Sequence, residues 1–178
     1  MSPKKLQVAI VIPVFNEAGV VEQIHARIRA VVDKLQYGVH FYYVDDGSTD
    51  GTAEALVKLA KRDRRVTALP LSRNFGHQAA LTAGLEQAEG DVVITMDGDG
   101  QHPPEMIPQM LDLIRQGYDI VQTQRMDETR PASFKKWTSG LFYRLINSIS
   151  GTHILPGAAD YRALSRNAVD ALKSMPEY

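Results

Sequence analysis

Residues 91–101 read DVVITMDGDGQ, a β-branched apolar run that ends abruptly in two carboxylates around one glycine. Val92, Val93, Ile94 and Thr95 favour a buried extended strand. Asp97 and Asp99 then fall at its carboxyl end, and Gly98 gives the backbone room for a tight loop. The same arrangement recurs along the chain. Residues 7–12 (QVAIVI) read as a strand and are followed by Pro13-Val14-Phe15-Asn16-Glu17. Residues 41–44 form a second strand, followed by Asp45-Asp46-Gly47-Ser48-Thr49-Asp50. Residues 66–69 form a third, followed by Ser72-Arg73-Asn74-Phe75-Gly76-His77. Helical spacing separates them over residues 20–35, 52–61 and 77–87, with Ser48, Thr49 and Asp50 as candidate caps. Pro103-Pro104 open a further helix to about residue 116, since proline suits a first turn. A fifth strand spans residues 118–123, and a later one residues 161–164. This alternation predicts an α/β fold of right-handed βαβ units, a mostly parallel sheet with helices on both faces. Such sheets hold their ligands outside the carboxyl ends of the strands, where these polar clusters lie.

The 178 residues suit one domain, 1–178, with a sizeable core. Hydrophobic residues make up 44% and charged residues 23%, the balance of a folded globular chain. The formal net charge of −1 offers no positive field for nucleic acid, so none is expected as a partner. With no cysteine, disulfides and thiolate metal sites are excluded, and a metal must take oxygen or imidazole ligands. No apolar run approaches the ~18 residues of a membrane span. The chain stops just after a helical pattern, at Met175-Pro176-Glu177-Tyr178, and reads as truncated ahead of C-terminal membrane segments.

Two carboxylates as close as Asp97 and Asp99 repel each other, and a divalent cation removes that penalty. Oxygen ligands favour Mg²⁺ or Mn²⁺, which also bind diphosphate oxygens. An acidic solvated turn is the plain alternative; the position at a strand end speaks against it. Residues 45–52 are partly a capping turn, yet capping does not account for Asp45 and Asp46 directly after a buried strand. Carboxylates there can accept hydrogen bonds from a ribose or a base. A calcium loop is excluded, because the position of its bidentate acid is Val57. Asn16 and Glu17 are either caps or groups that hold a nucleoside, and Arg73 can pair with an acid or a phosphate. His77 reads as a helix-start residue, not a ligand.

IPVFNE, VDDGSTDGT, SRNFGHQAALTAG and MDGDGQHPPE, in this order, resemble the family 2 glycosyltransferases of the GT-A (Rossmann-like) fold. The likeness covers nearly the whole chain and is strongest to the polyprenyl-phosphate branch. It implies an inverting hexosyl transfer from a UDP- or GDP-sugar to a polyprenyl phosphate, at the cytoplasmic face of the membrane. It implies Asp97 and Asp99 as metal and donor residues and Gln101 as a further donor-site residue. Pro13, Glu17 and Asp46, with Asn16 and Asp45 beside them, would hold the nucleoside. Asp160, in Gly157-Ala158-Ala159-Asp160-Tyr161-Arg162, matches an acceptor-side aspartate and joins Asp99 as a catalytic residue. Its role is open between base and acceptor-orienting group. Gly98 stands where alanine is common, a change expected to be harmless. A homo-oligomer stays open, as does a nucleotide-sugar-binding or assembly module without turnover.

Other families fit less well. A phosphatase of the Asp-x-Asp-Gly type needs Ser or Thr soon afterwards, where Gln101-His102-Pro103 stands. A nicotinamide-binding domain needs a glycine-rich turn in place of Pro13-Val14-Phe15. Arg125, Arg130 and Lys135 suit an anionic acceptor. They lead into a stripe of Phe134, Trp137, Leu141, Phe142, Leu145 and Ile149, flanked by Lys136 and Arg144. The stripe packs on the core or lies in a membrane surface, and the basic and aromatic residues favour the second. Vesicles containing anionic lipid are therefore expected to retain the chain better than neutral ones in a sedimentation assay; equal retention removes the electrostatic part of this reading.

Overall fold

A computed structural model of the chain describes residues 5–124 and 158–175. Two compact units divide the chain, Met1–Val121 with Asp160–Tyr178, and Gln122–Ala159. The described part of the second is residues 122–124 and 158–159, so the account below concerns the first.

The strands are β1 (Gln7–Val14), β2 (Gly38–Asp45), β3 (Val66–Pro70), β4 (Val92–Thr95), β5 (Ile120–Gln124) and β6 (Ala158–Ser165). The helices are α1 (Val21–Val32), α2 (Thr52–Arg62), α3 (His77–Gln87), α4 (Ile107–Arg115) and α5 (Arg166–Lys173). One six-stranded sheet has the order β3-β2-β1-β4-β6-β5. The pairs β1–β2, β2–β3 and β1–β4 are parallel, and β6 runs antiparallel to β4. The α/β, mostly parallel architecture expected from the sequence is present. The helix expected from Pro103 begins instead as a 3₁₀ turn, Pro104–Met106, before α4.

β1 is buried from Val8 to Val14, which explains its unbroken apolar run: central parallel strands are covered on both faces. Ala9, Val11, Tyr42, Val44, Val93 and Leu164 pack with α3 and α5 through Ala80, Leu85, Ala168 and Val169. On the other face the His25 ring of α1 meets those of Phe41 and Tyr43. Each fully buried Val, Leu or Ile contributes about 1.5–3 kcal/mol. The α3 contact is especially close. A methyl group on Gly84 would run into the Val11 side chain and come within 2.9 Å of Val44 Cγ2. The glycine lets α3 lie tight on β1 and β2, and this fixes where its first turn emerges.

β1 outruns β4 by design of its sequence. Val11 O accepts from Met96 N on the β4 side, while Val14 O accepts from Asp46 N on the β2 side. Pro13 shares the side of Val11 and lies beyond the last β4 register pair, Val11↔Thr95. Its missing N–H therefore breaks no ladder bond.

Away from the strand ends, the buried Tyr43 hydroxyl pairs with His25 Nδ1 at 3.1 Å, and His25 Nε2 lies 3.4 Å from Asp63. Arg65 donates to Asp63 and to Asp33. The hydrogen bonds from Arg65 hold both carboxyls below the usual carboxylate range. Burial lowers His25. Depressed acids contribute stability above their unfolded values, about pH 4, and lose it as pH falls. The depressed histidine acts with the same sign below about pH 6.5. Arg65→Ala strips the cation from Asp63, whose side chain is 9% exposed. It is expected to cost about 2 kcal/mol at pH 7 and to flatten the loss of stability below about pH 4, as measured by urea unfolding at pH 7, about pH 4 and about pH 2.5.

Candidate active site

The antiparallel register of β4 and β6 pairs Val93 with Leu164 and Thr95 with Arg162. Asp97 follows the end of β4 and Asp160 precedes Arg162 in β6, so both carboxylates come to the same end of the sheet, beside the first residue of α3. Thr95 Oγ1 donates to the backbone carbonyl of Asp160 at 2.7 Å and pins the start of β6 there. Arg162 Nη2 donates to Asp160 Oδ1 at 2.6 Å. His77, the first residue of α3, places Nε2 3.5 Å from Asp97 Oδ1 and 3.5 Å from Asp160 Oδ2. Asp97 Oδ1 is buried and has no hydrogen-bond partner among the described residues.

A second histidine holds Asp97 from the other side. The backbone N–H of Asp97 donates to His102 Nδ1 at 3.0 Å. Since an N–H can only donate, Nδ1 accepts and the neutral ring carries its hydrogen on Nε2, 3.5 Å from Asp97 Oδ2. His102 is buried and stacks on Tyr161, whose hydroxyl donates to the Pro103 carbonyl. Tyr161 thus serves the opposite face of β6 from Asp160 and Arg162.

Asp99 is exposed at the tip of the loop, and its Oδ1 accepts the Gln101 N–H at 2.9 Å. Gly98 is buried in the gap beyond β4; a Cβ there would lie 2.9 Å from the Pro13 carbonyl oxygen and collide with Val14. Glycine therefore has a packing role at this position, and alanine fits once Val14 and this carbonyl give way. Arg27 of α1 donates to the Gly100 carbonyl. Glu17 is raised above the usual glutamate range by burial, with the charges of Asp99 and Asp50 adding to it.

The loops after β1 and β2 are stitched together. Asn16, in the left-handed region at φ 57°, accepts from Thr49 N through Oδ1, and its own N–H donates to Ser48 Oγ. Glu17 N donates to Thr52 Oγ1, and Ala18 N to Asp50 Oδ2. Asp50 also takes the Thr52 N–H, while the N-cap itself is Gly51. Asp45 Oδ1 accepts from Ser48 N. Asp46 reaches to the third loop: Oδ1 accepts from Phe75 N at 2.8 Å and Oδ2 from Gly76 N at 2.9 Å. Asp45 and Asp46 are 4% and 3% exposed, and their oxygens keep further lone pairs.

Pro13, Asn16, Glu17, Asp45, Asp46, Asp97, Asp99, Gln101 and Asp160 all lie at the carboxyl-end rim or in the loops that join it. Arg125, Arg130 and Lys135, and the apolar stripe beyond them, lie outside the described residues. His77 is a helix-start residue as expected, and it also faces two of the carboxylates. His102 was not singled out at all. The signal for it was its place within the DGDGQHPP run, five residues after Asp97.

The model of a family described as Glycosyl transferase family 2 matches residues 9–173. An undecaprenyl-phosphate 4-deoxy-4-formamido-L-arabinose transferase of Pseudomonas syringae is 38% identical over 171 residues, 96% of this chain and 50% of its own length. A prophage bactoprenol glucosyl transferase homolog of Escherichia coli is 36% identical over 172 residues, 97% of this chain and 56% of its own length. The solved structure of a Pyrobaculum calidifontis mannosyltransferase in complex with GDP-Man and Mn²⁺ aligns with a TM-score of 0.67 at 22% identity. That alignment covers 97% of this chain and 48% of the other, and it shows a shared GT-A fold. The chain spans about half the length of the curated relatives it matches.

Gly47 tests how firmly the loops are joined. It sits at φ +70°, and a Cβ there would lie 2.6 Å from Asn74 N and against the Arg73 backbone. Gly47→Ala is expected to destabilise the fold by about 2 kcal/mol or more, from left-handed strain and from collision with main chain that cannot rotate away. Chemical denaturation of the variant against wild type measures it.

Proposed function

The chain belongs to glycosyl transferase family 2, and from that premise we propose that it moves a sugar from a nucleoside-diphosphate donor to a polyprenyl phosphate. The observation that carries the reading is the gathering of Asp97 and Asp160 at the open end of the sheet, each 3.5 Å from His77 Nε2, with Asp97 Oδ1 buried and without a hydrogen-bond partner among the described residues. The relatives supply the acceptor class, through the words undecaprenyl-phosphate and bactoprenol in their names.

An acceptor phosphate oxygen attacks the anomeric carbon, the bond from that carbon to the donor's diphosphate breaks, and the configuration inverts. A phosphate monoester has its second pKa near ~6, so the nucleophile is largely ionised at neutral pH. Asp160 then has little proton to take. Its Oδ1 is engaged by Arg162, and its remaining task is to orient the acceptor. The stitched loops carrying Pro13, Asn16, Glu17, Asp45 and Asp46 hold the nucleoside.

Among the described residues no three His, Asp or Glu side chains form a ready-made metal cage. A Mg²⁺ or Mn²⁺ ion needs none, since such ions bind through one or two carboxylates plus substrate phosphates. The unsatisfied oxygen of Asp97 and the exposed carboxylate of Asp99 fit that donor set. When bound, the ion neutralises charge on the departing diphosphate. Arg125, Arg130 and Lys135 serve the acceptor phosphate. A lipid acceptor places the reaction at a membrane surface, for which the cytoplasmic face is the natural side.

A panel of UDP- and GDP-sugars with polyprenyl phosphate, assayed by product chromatography, tests this. One donor class is expected to support transfer with Mn²⁺, and a chelator to abolish it reversibly. Asp99→Ala is expected to lose about a hundredfold or more in kcat/KM and to weaken Mn²⁺-dependent nucleoside-diphosphate binding in calorimetry. Donor binding by the wild type without any turnover would favour a nucleotide-sugar-binding module instead.

A further inference from the structure

We propose that His77 is a positioning residue, whose Nε2–H draws the carboxylates of Asp97 and Asp160 towards one centre. The inference rests on the transferase reading above for its kinetic consequence, and on geometry alone for its structural one.

Like charges directly across adjacent strands destabilise the pair and push it apart. Asp97 and Asp160 are like charges at the ends of neighbouring strands, and a single imidazole nitrogen stands 3.5 Å from an oxygen of each. Arg162 engages Asp160 through Oδ1, which leaves Oδ2 to face His77. His102 engages Asp97 through its N–H and near Oδ2, which leaves the buried Oδ1 to face His77. The outer oxygen of Asp160 is hydrogen-bonded and that of Asp97 has His102 Nε2 beside it, and the two inner oxygens look at the same ring nitrogen. A hydrogen on Nε2 is present in the imidazolium and in one neutral tautomer, so the argument does not depend on the charge of the ring. At 3.5 Å the contacts are longer than hydrogen bonds, as is common for catalytic groups before a ligand tightens them.

The backbone of His77 is held in place, while its side chain is 40% exposed. It follows Gly76, the N-cap of α3 at φ 95°, whose N–H is held by Asp46. Further along the helix, Gly84 seats α3 against Val11 and Val44. The ring is therefore carried by a main chain held by the Asp46 clamp before it and by the Gly84 contact after it. Misplacing a reacting group by about 1 Å costs on the order of a hundredfold in rate, and a variant lacking the ring is expected to show a loss of that kind.

Two measurements on the full chain test the proposal. In kinetics, His77→Ala is expected to lower kcat about ten- to a hundredfold with the donor KM within about twofold and the melting temperature unchanged. His77→Gln, which keeps an N–H donor, is expected to recover most of that loss. A wild-type kcat in His77→Ala, or a glutamine variant as poor as the alanine one, overturns the proposal. In crystals, His77→Ala is expected to show the Asp160 carboxylate turned away from Asp97 towards Arg162; unchanged rotamers of both aspartates overturn it. If the wild type transfers no sugar, the transferase reading falls, and the pair of crystal structures still decides the part played by His77.

Discussion

Two backbone N–H groups, those of Phe75 and Gly76, end on the carboxylate of Asp46, and the layout of the site depends on that clamp. Asp46 belongs to the loop after β2, while Phe75 and Gly76 immediately precede α3. The clamp converts the end of one strand into the starting point of a helix that packs against its neighbour. Gly47 permits it by allowing the Arg73–Asn74 backbone to lie flat against the turn. A carboxylate that accepts two N–H bonds in a buried setting is costly to replace, because each donor would be left unsatisfied at about 1–3 kcal/mol. Asp46 is thus tied to the architecture whatever else it touches.

The rim that this architecture creates is strongly acidic. Glu17, Asp50, Asp97, Asp99 and Asp160 gather there, and the raised Glu17 records part of the strain. Among the described residues, Arg162 donates to Asp160 and Arg27 to the Gly100 carbonyl. The two histidines flank Asp97. Negative charge left facing the centre is what a cation-bearing diphosphate needs.

Stability is carried elsewhere. The buried strands β1, β2 and β4 and the Arg65–Asp63–His25–Tyr43 chain lie away from the carboxyl-end loops. The loops are joined by hydrogen bonds between short polar side chains and backbone, not by a hydrophobic cluster. Such a division lets the rim tolerate repulsion that the core could not, since the buried sheet and the Asp46 clamp set its geometry.

Local chemistry determined most of the fold. Runs rich in β-branched or aromatic residues at 7–12, 41–44, 66–69 and 91–96 specify strands by themselves, and a polar cluster after each marks the same end of a parallel sheet. That is why Asp97, Asp99, Glu17 and Asp46 were legible as rim residues from their neighbours in sequence. Tertiary structure decided what sequence spacing does not encode. The antiparallel insertion of β6 beside β4 brings Asp160 to the end of β4, where Thr95 bonds its carbonyl across 65 positions of sequence. The ring of His77 meets both carboxylates because α3 is seated by Gly84 and capped by Gly76, and neither contact leaves a periodic trace. His102 turns inward because Tyr161 offers it a stacking face, and that ring arrives from a distant strand. Residue types fix which groups can do chemistry; the distances between them depend on strand order and helix seating, which arise only when the whole sheet closes around its core.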